Sequence, residues 1–229
     1  MAKHNGEFSS SKIASTANTK IQQHIEETWA SISEQFNIVY GSMPKFMERQ
    51  ELSFHEHVKL LGYLCMDTFN MPGDIVEIGV WKGKSLALMD RLAPRGTNVI
   101  GVDPCEISGQ KDELTTFVRE LIPNAKIVFN YSERAIKDVL SLSTKFKILH
   151  IDGGHQEHHV WSDFILYSQF VVPGGYVIFD DYADDKHSPE VKIAVDQMYR
   201  KSLFDGFDVL GPIDGFLNSF VLRKKVPSA

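Results

Sequence analysis

The chain has 229 residues, 43% hydrophobic and 24% charged, with a formal net charge of −6. This is the size and balance of one α/β domain with some additional chain, and the acidic sign argues against a nucleic-acid partner, which needs a basic face for phosphates. No apolar run approaches the roughly 20 residues of a membrane helix, so no membrane partner is expected, and the two cysteines, Cys65 and Cys105, lack metal-ligand spacing and suit a reducing, cytoplasmic compartment.

In chain order, Met1 to Lys20 is polar, rich in Ser, Thr, Asn and Lys, and has no apolar stretch of the kind a secretion signal needs. It reads as a flexible tail, the alternative being a lid that orders over bound ligand. Residues 21–72 read as a helical cap. Ile21, Ile25, Thr28, Trp29 and Ile32 fall at helical spacing. Ser53 with Glu56 forms a capping box for a second helix, whose apolar face is Val58, Leu61, Leu64 and Cys65. Met71-Pro72-Gly73 then breaks the helical pattern.

From residue 73 to 229 the pattern changes to short apolar runs alternating with amphipathic stretches. The runs are Asp74–Val80, Asn98–Val102, Ala125–Phe129, Phe146–Ile151 and Gly175–Phe179. Between and after them lie helical stretches at Lys84–Leu92, Lys111–Ile122, Glu133–Leu140, Gln156–Val171 and Glu190–Lys201. Apolar runs without alternation are what strands covered on both faces look like, and this strand–helix rhythm predicts βαβ units. Phe207–Leu210 and Phe216–Leu222 suit a closing hairpin. The expectation is an α/β fold with a mostly parallel seven-stranded sheet and helices on both faces.

Open sheets of this kind bind ligands at the C-terminal ends of the strands. The first run ends in Val-Glu-Ile-Gly-Val-Trp-Lys-Gly-Lys-Ser, residues 76–85, where Gly79 and Gly83 flank a strand-to-helix turn that a ligand can approach closely. Asp103 closes the second run, where a carboxylate can accept bonds from ribose hydroxyls. The spacing is not the G-x-G-x-x-G of a dinucleotide site, and Glu77 would repel a pyrophosphate but suit a cationic amino-acid group. This Glu-x-Gly-x-x-x-Gly pattern resembles motif I of class I S-adenosylmethionine-dependent methyltransferases. The resemblance implies a Rossmann-like fold and a cofactor site at Glu77, Gly79, Gly83, Ser85, Asp103 and Asp152. After the third run, Tyr131 and Ser132 occupy the place that lies beside the adenine in that family, although Ser132 can equally cap the following helix.

The fourth run ends in His150-Ile151-Asp152-Gly153-Gly154-His155 and the fifth in Phe179-Asp180-Asp181-Tyr182. Asp152, Asp180 and Asp181 therefore converge on one cleft, where three carboxylates repel one another unless a cation or protons intervene. A hard divalent ion such as Mg²⁺ suits an all-oxygen set, and it would lower the pKa of a bound hydroxyl. His155 is placed to take the hydroxyl proton, against the plainer reading of a loop histidine capping the next helix. His150 reads as a buried strand residue, and His158 and His159 as helix-surface residues.

The stretch 147–182, with Ile-Asp-Gly-x-His, Asp163, Pro-Gly-Gly and Asp-Asp-Tyr, resembles the metal-dependent macrocin and mycinamicin sugar O-methyltransferases and the proteins called cephalosporin hydroxylases. That resemblance implies an O-methyltransferase acting on a hydroxyl of a small molecule (a sugar, polyol or phenol of the natural-product type), with Mg²⁺ on Asp152, Asp180 and Asp181 and His155 as base. Val-Trp-Lys-Gly-Lys-Ser departs from the Arg-Gly-Gly usual there. The rivals are a protein of the same fold with a hydroxylase-like or accessory role, an NAD-dependent oxidoreductase and a non-enzymatic scaffold. A homo-oligomer is left open.

Overall fold

The computed structural model describes residues 13–41 and 56–227. Seven strands form one sheet in the order β3-β2-β1-β4-β5-β7-β6. β1 (Asp74–Ile78), β2 (Val99–Val102), β3 (Lys126–Val128), β4 (Phe146–Ile151) and β5 (Val171–Phe179) run parallel, while β7 (Phe216–Lys224) is antiparallel to both β5 and β6 (Phe207–Ile213). The chain leaves β1 in one direction for β2 and β3 and returns to the other side for β4 and β5. The reversal makes a switch point between β1 and β4, and a crevice opens beyond such strand ends.

Because side chains alternate across a strand, each strand feeds two cores. Ile75, Val99, Ile148, Ile178 and Val221 face α1 (Thr19–Gly41), α2 (Glu56–Asp67), α3 (Lys84–Leu92) and α4 (Gln110–Leu121). Val76, Ile100, Leu149, Val177 and Leu222 face α5 (Ser132–Leu142), α6 (Glu157–Tyr167) and α7 (Pro189–Arg200). The expected helix over Gln156–Val171 stops at Tyr167, passes through a short 3₁₀ turn at Ser168–Phe170, and yields Val171 to β5.

The N-terminal helices share a core with the sheet. Ile25, Trp29, Ile32 and Phe36 of α1 are buried with Leu60, Leu61 and Leu64 of α2 against α3 and β1. Packing begins inside the stretch read as a tail, since Ile13 is 4% exposed and the Ser15 hydroxyl donates to the Tyr63 carbonyl at 3.2 Å. Residues 1–12 and the expected cap Ser53 lie outside the described residues. Among the described residues no helix is long and apolar enough to cross a membrane.

Candidate active site

A cavity of about 510 Å³ lies beyond the C-terminal ends of β1 to β4. Of the residues expected to bind cofactor, Gly79, Asp103, Tyr131, Ser132 and Asp152 line it, as do His155 and Asp181. Gly79 has φ of 87°, and a Cβ there would meet the Asp152 carbonyl oxygen at 1.8 Å. The close approach of the β1 and β4 ends therefore requires glycine. Asp103 organises the same loop. Its Oδ2 accepts from the N–H groups of Val80 at 3.0 Å and Trp81 at 2.8 Å, and its Oδ1 from the Cys105 N–H at 2.7 Å and the Gln110 amide at 3.2 Å. These bonds hold Trp81, at φ of 50°, on the cavity wall.

Glu77, Gly83 and Ser85 do not line this cavity. Glu77 is fully buried, and its Oε1 lies 2.9 Å from Nδ1 of His150, its neighbour across the parallel pair. Its place is on the sheet face, not at the strand end. Gly83, at φ of 83°, caps α3 and packs on the Phe117 ring, where a Cβ would approach to 2.9 Å. Ser85 follows inside α3 and is not part of the cavity lining.

Ser132 is not the helix cap, since Tyr131 holds that position without a side-chain bond. The Ser132 hydroxyl instead donates to Asp163, and the Tyr167 hydroxyl donates to the Ser132 carbonyl at 2.7 Å. Burial pushes the Asp163 carboxyl up to about 7, against the lowering effect of the Ser132 bond. His155 is not a cap either, Gln156 being the residue before α6. Its Nε2 lies 3.1 Å from Oδ2 of Asp181 and its Nδ1 3.0 Å from the Ser188 hydroxyl.

The three carboxylates expected to share one cation are divided between two groups with Asp152 in common: Asp152, His155 and Asp181 form the outer one, and His150, Asp152 and Asp180 the inner one. Asp180 and Asp181, being adjacent at a strand end, point to different partners. Asp180 is 6% exposed, accepts from the Ser219 hydroxyl at 3.1 Å and faces Nε2 of His57 at 3.7 Å. Asp181, in the left-handed region at φ of 58°, accepts from Asn218 and Ser188 at 3.2 Å each. Burial holds the Asp152 carboxyl well above the usual range, and Asp180, Asp181 and Glu77 raise it further.

Several cavity residues carried no sequence signal. Pro104, Glu106 and Ile107 enter from the β2–α4 connection and Gln110 from the start of α4, and His159, read as a surface residue, turns inward beside Gly154. His57 reaches Asp180 from α2, which no local pattern announces.

Residues 76–182 match a family model described as a methyltransferase domain, which supports an S-adenosylmethionine-dependent methyltransferase on a class I fold. At 37% identity over 152 residues it is similar to the uncharacterized protein R132 of Acanthamoeba polyphaga mimivirus, the match covering 64% of this chain and 68% of that one. Solved structures share the fold. The O-methyltransferase NovP superposes with a TM-score of 0.62 at 18% identity, over 93% of this chain and 100% of NovP. An O-methyltransferase from Bacillus cereus in complex with SAH gives 0.61 at 14% identity, over 93% and 100%. TomG from Streptomyces achromogenes, an O-methyltransferase solved with SAM, gives 0.56 at 13%, over 86% and 90%.

Proposed function

We propose that this methyltransferase moves its methyl group to a hydroxyl of a small molecule, with S-adenosylmethionine held at Gly79, Asp103, Tyr131, Ser132 and Asp152, a Mg²⁺ ion held by Asp152, Asp180 and Asp181, and His155 as general base. The carrying observation is that one cavity joins the Gly79–Asp103 loop to the Asp152–Asp181–His155 group. A sugar, polyol or phenol of the natural-product type suits a site that pairs a cation-ready acidic end with a proton acceptor. The cytoplasm is the compartment this reading implies.

The residues fit both groups. The loop after β1 comes within contact distance of the β4 end only because Gly79 has no side chain, so a ligand there meets backbone. The clustered carboxylates, with the Asp152 carboxyl pushed upward by burial and by its acidic neighbours, form a set that a cation would relieve. When bound, S-adenosylmethionine supplies a methyl carbon on a sulfonium, an electrophile that needs mainly alignment. Mg²⁺ supplies charge that lowers the pKa of an adjacent hydroxyl.

The chain's own residues do the rest. Asp181 at Nε2 fixes the tautomer and direction of the His155 ring. The other nitrogen faces the rotatable hydroxyl of Ser188, so the acceptor proton arrives at Nδ1 directly or through that hydroxyl. Calorimetry with S-adenosylmethionine, with and without Mg²⁺, followed by mass spectrometry of a diol and phenol panel, tests the reading. Cofactor binding with no methylated product under any metal condition would favour the accessory role instead.

A further inference from the structure

Beneath the cavity, on the sheet face covered by α1 to α4, lies a row of buried polar side chains that the proposed chemistry does not use. His150 and Glu77 are each 0% exposed and pair through Nδ1 and Oε1 at 2.9 Å. The remaining atoms, His150 Nε2 and Glu77 Oε2, are buried with no hydrogen-bond partner among the described residues. Native structures rarely strand such buried polar groups without a ligand, water or ion. One ligating atom each from His150, Asp152 and Asp180 lie within 4.8 Å of one another. Since Glu77 occupies Nδ1, the nitrogen available to this group is Nε2.

We propose that the cation of this enzyme occupies the inner position, with His150 Nε2 as a nitrogen ligand beside Asp152 and Asp180, and with Glu77 orienting the imidazole. This rests on the cation reading above and changes its chemistry. A carboxylate on the far nitrogen of a ligating histidine fixes tautomer and ring direction and raises ligand basicity. A set of one imidazole and two carboxylates suits Mn²⁺, Co²⁺ or Zn²⁺, whereas Mg²⁺ prefers oxygen alone. Mn²⁺-class ions should therefore bind more tightly than Mg²⁺.

The test uses the full chain stripped of metal and loaded with Mn²⁺, grown with either natural-abundance or ¹⁵N-labelled histidine. Pulsed electron paramagnetic resonance is expected to show a directly bound histidine nitrogen whose coupling changes with the label. The coupling should persist in the double variant His57→Gln/His155→Gln, since both of those rings have partial exposure and only His150 belongs to the inner group. His150→Gln, if folded by circular dichroism, should raise the Mn²⁺ dissociation constant about tenfold or more. Mn²⁺ bound with no nitrogen coupling would leave the all-oxygen site standing and overturn this proposal. Coupling lost in the double variant would overturn it in favour of the outer group. No Mn²⁺ binding at all would remove both cation readings.

Discussion

Asp103 is expected to hold the cofactor loop together before any cofactor arrives, and Asp103→Ala tests this. The carboxylate is 7% exposed and accepts four bonds, three of them from the backbone N–H groups of Val80, Trp81 and Cys105. A hydrogen bond to a charged group contributes about 1.5–3 kcal/mol, and removing the acceptor strands its donors. The four bonds share one carboxylate and are not additive, so the expected loss of stability is about 3–5 kcal/mol. In a chain of this size each kcal/mol corresponds to about 2–4 °C in Tm, so the transition should fall by roughly 6–20 °C. Urea unfolding and calorimetry without cofactor measure it. Asp103→Asn should recover little, because its amide nitrogen must face two N–H donors. A loss below about 1 kcal/mol for Asp103→Ala would refute the reasoning and return Asp103 to the purely ribose-binding role its spacing suggests. If the loop reading holds, S-adenosylhomocysteine affinity should drop in the same variant, through loop placement as well as any lost ribose contact.

Gly79→Ala should destabilise the fold well beyond Gly96→Ala: both have positive φ, but a Cβ at Gly79 strikes the Asp152 carbonyl while one at Gly96 meets nothing within 4 Å among the described residues. Urea midpoints of the two variants compare them, with about 1–2 kcal/mol expected at Gly96 from the left-handed backbone alone. His155→Ala should lower kcat by about 10²–10⁴-fold with cofactor affinity unchanged in calorimetry. Stability should fall as pH rises from about 4 to 7, because the Asp163 carboxyl, at about 7 in the fold against an ordinary 3.8, keeps its proton when folded and loses it when unfolded. Denaturant midpoints across that range should flatten in Asp163→Asn. Chelation should abolish turnover, and a divalent ion should restore it, in a discontinuous methyl-transfer assay.

How much of this was legible in the sequence follows from which physical signals are local. β4 and α3 fall where hydrophobic run and periodicity place them, at Phe146–Ile151 and Lys84–Leu92, because a doubly covered strand and an amphipathic helix write their environment into consecutive residues. Strand ends were legible too. Gly79, Asp103, Asp152 and Asp181 each stand just past a strand, where parallel topology gathers chain ends into one crevice, and all four line the cavity. Glu77 misleads because it stands one residue before the end of β1. A side chain inside a strand projects perpendicular to the sheet, so Glu77 meets its neighbour His150 and never reaches the crevice. The same parity rule places Asp180 on the inner face, beside His150, and turns Asp181 the other way toward His155. A single run of Asp-Asp thus serves two groups. That division depends on the pairing of β4 with β1 and β5, a long-range fact that no local pattern encodes. His57 depends on it still further, because its contact with Asp180 needs α2 packed over that same face.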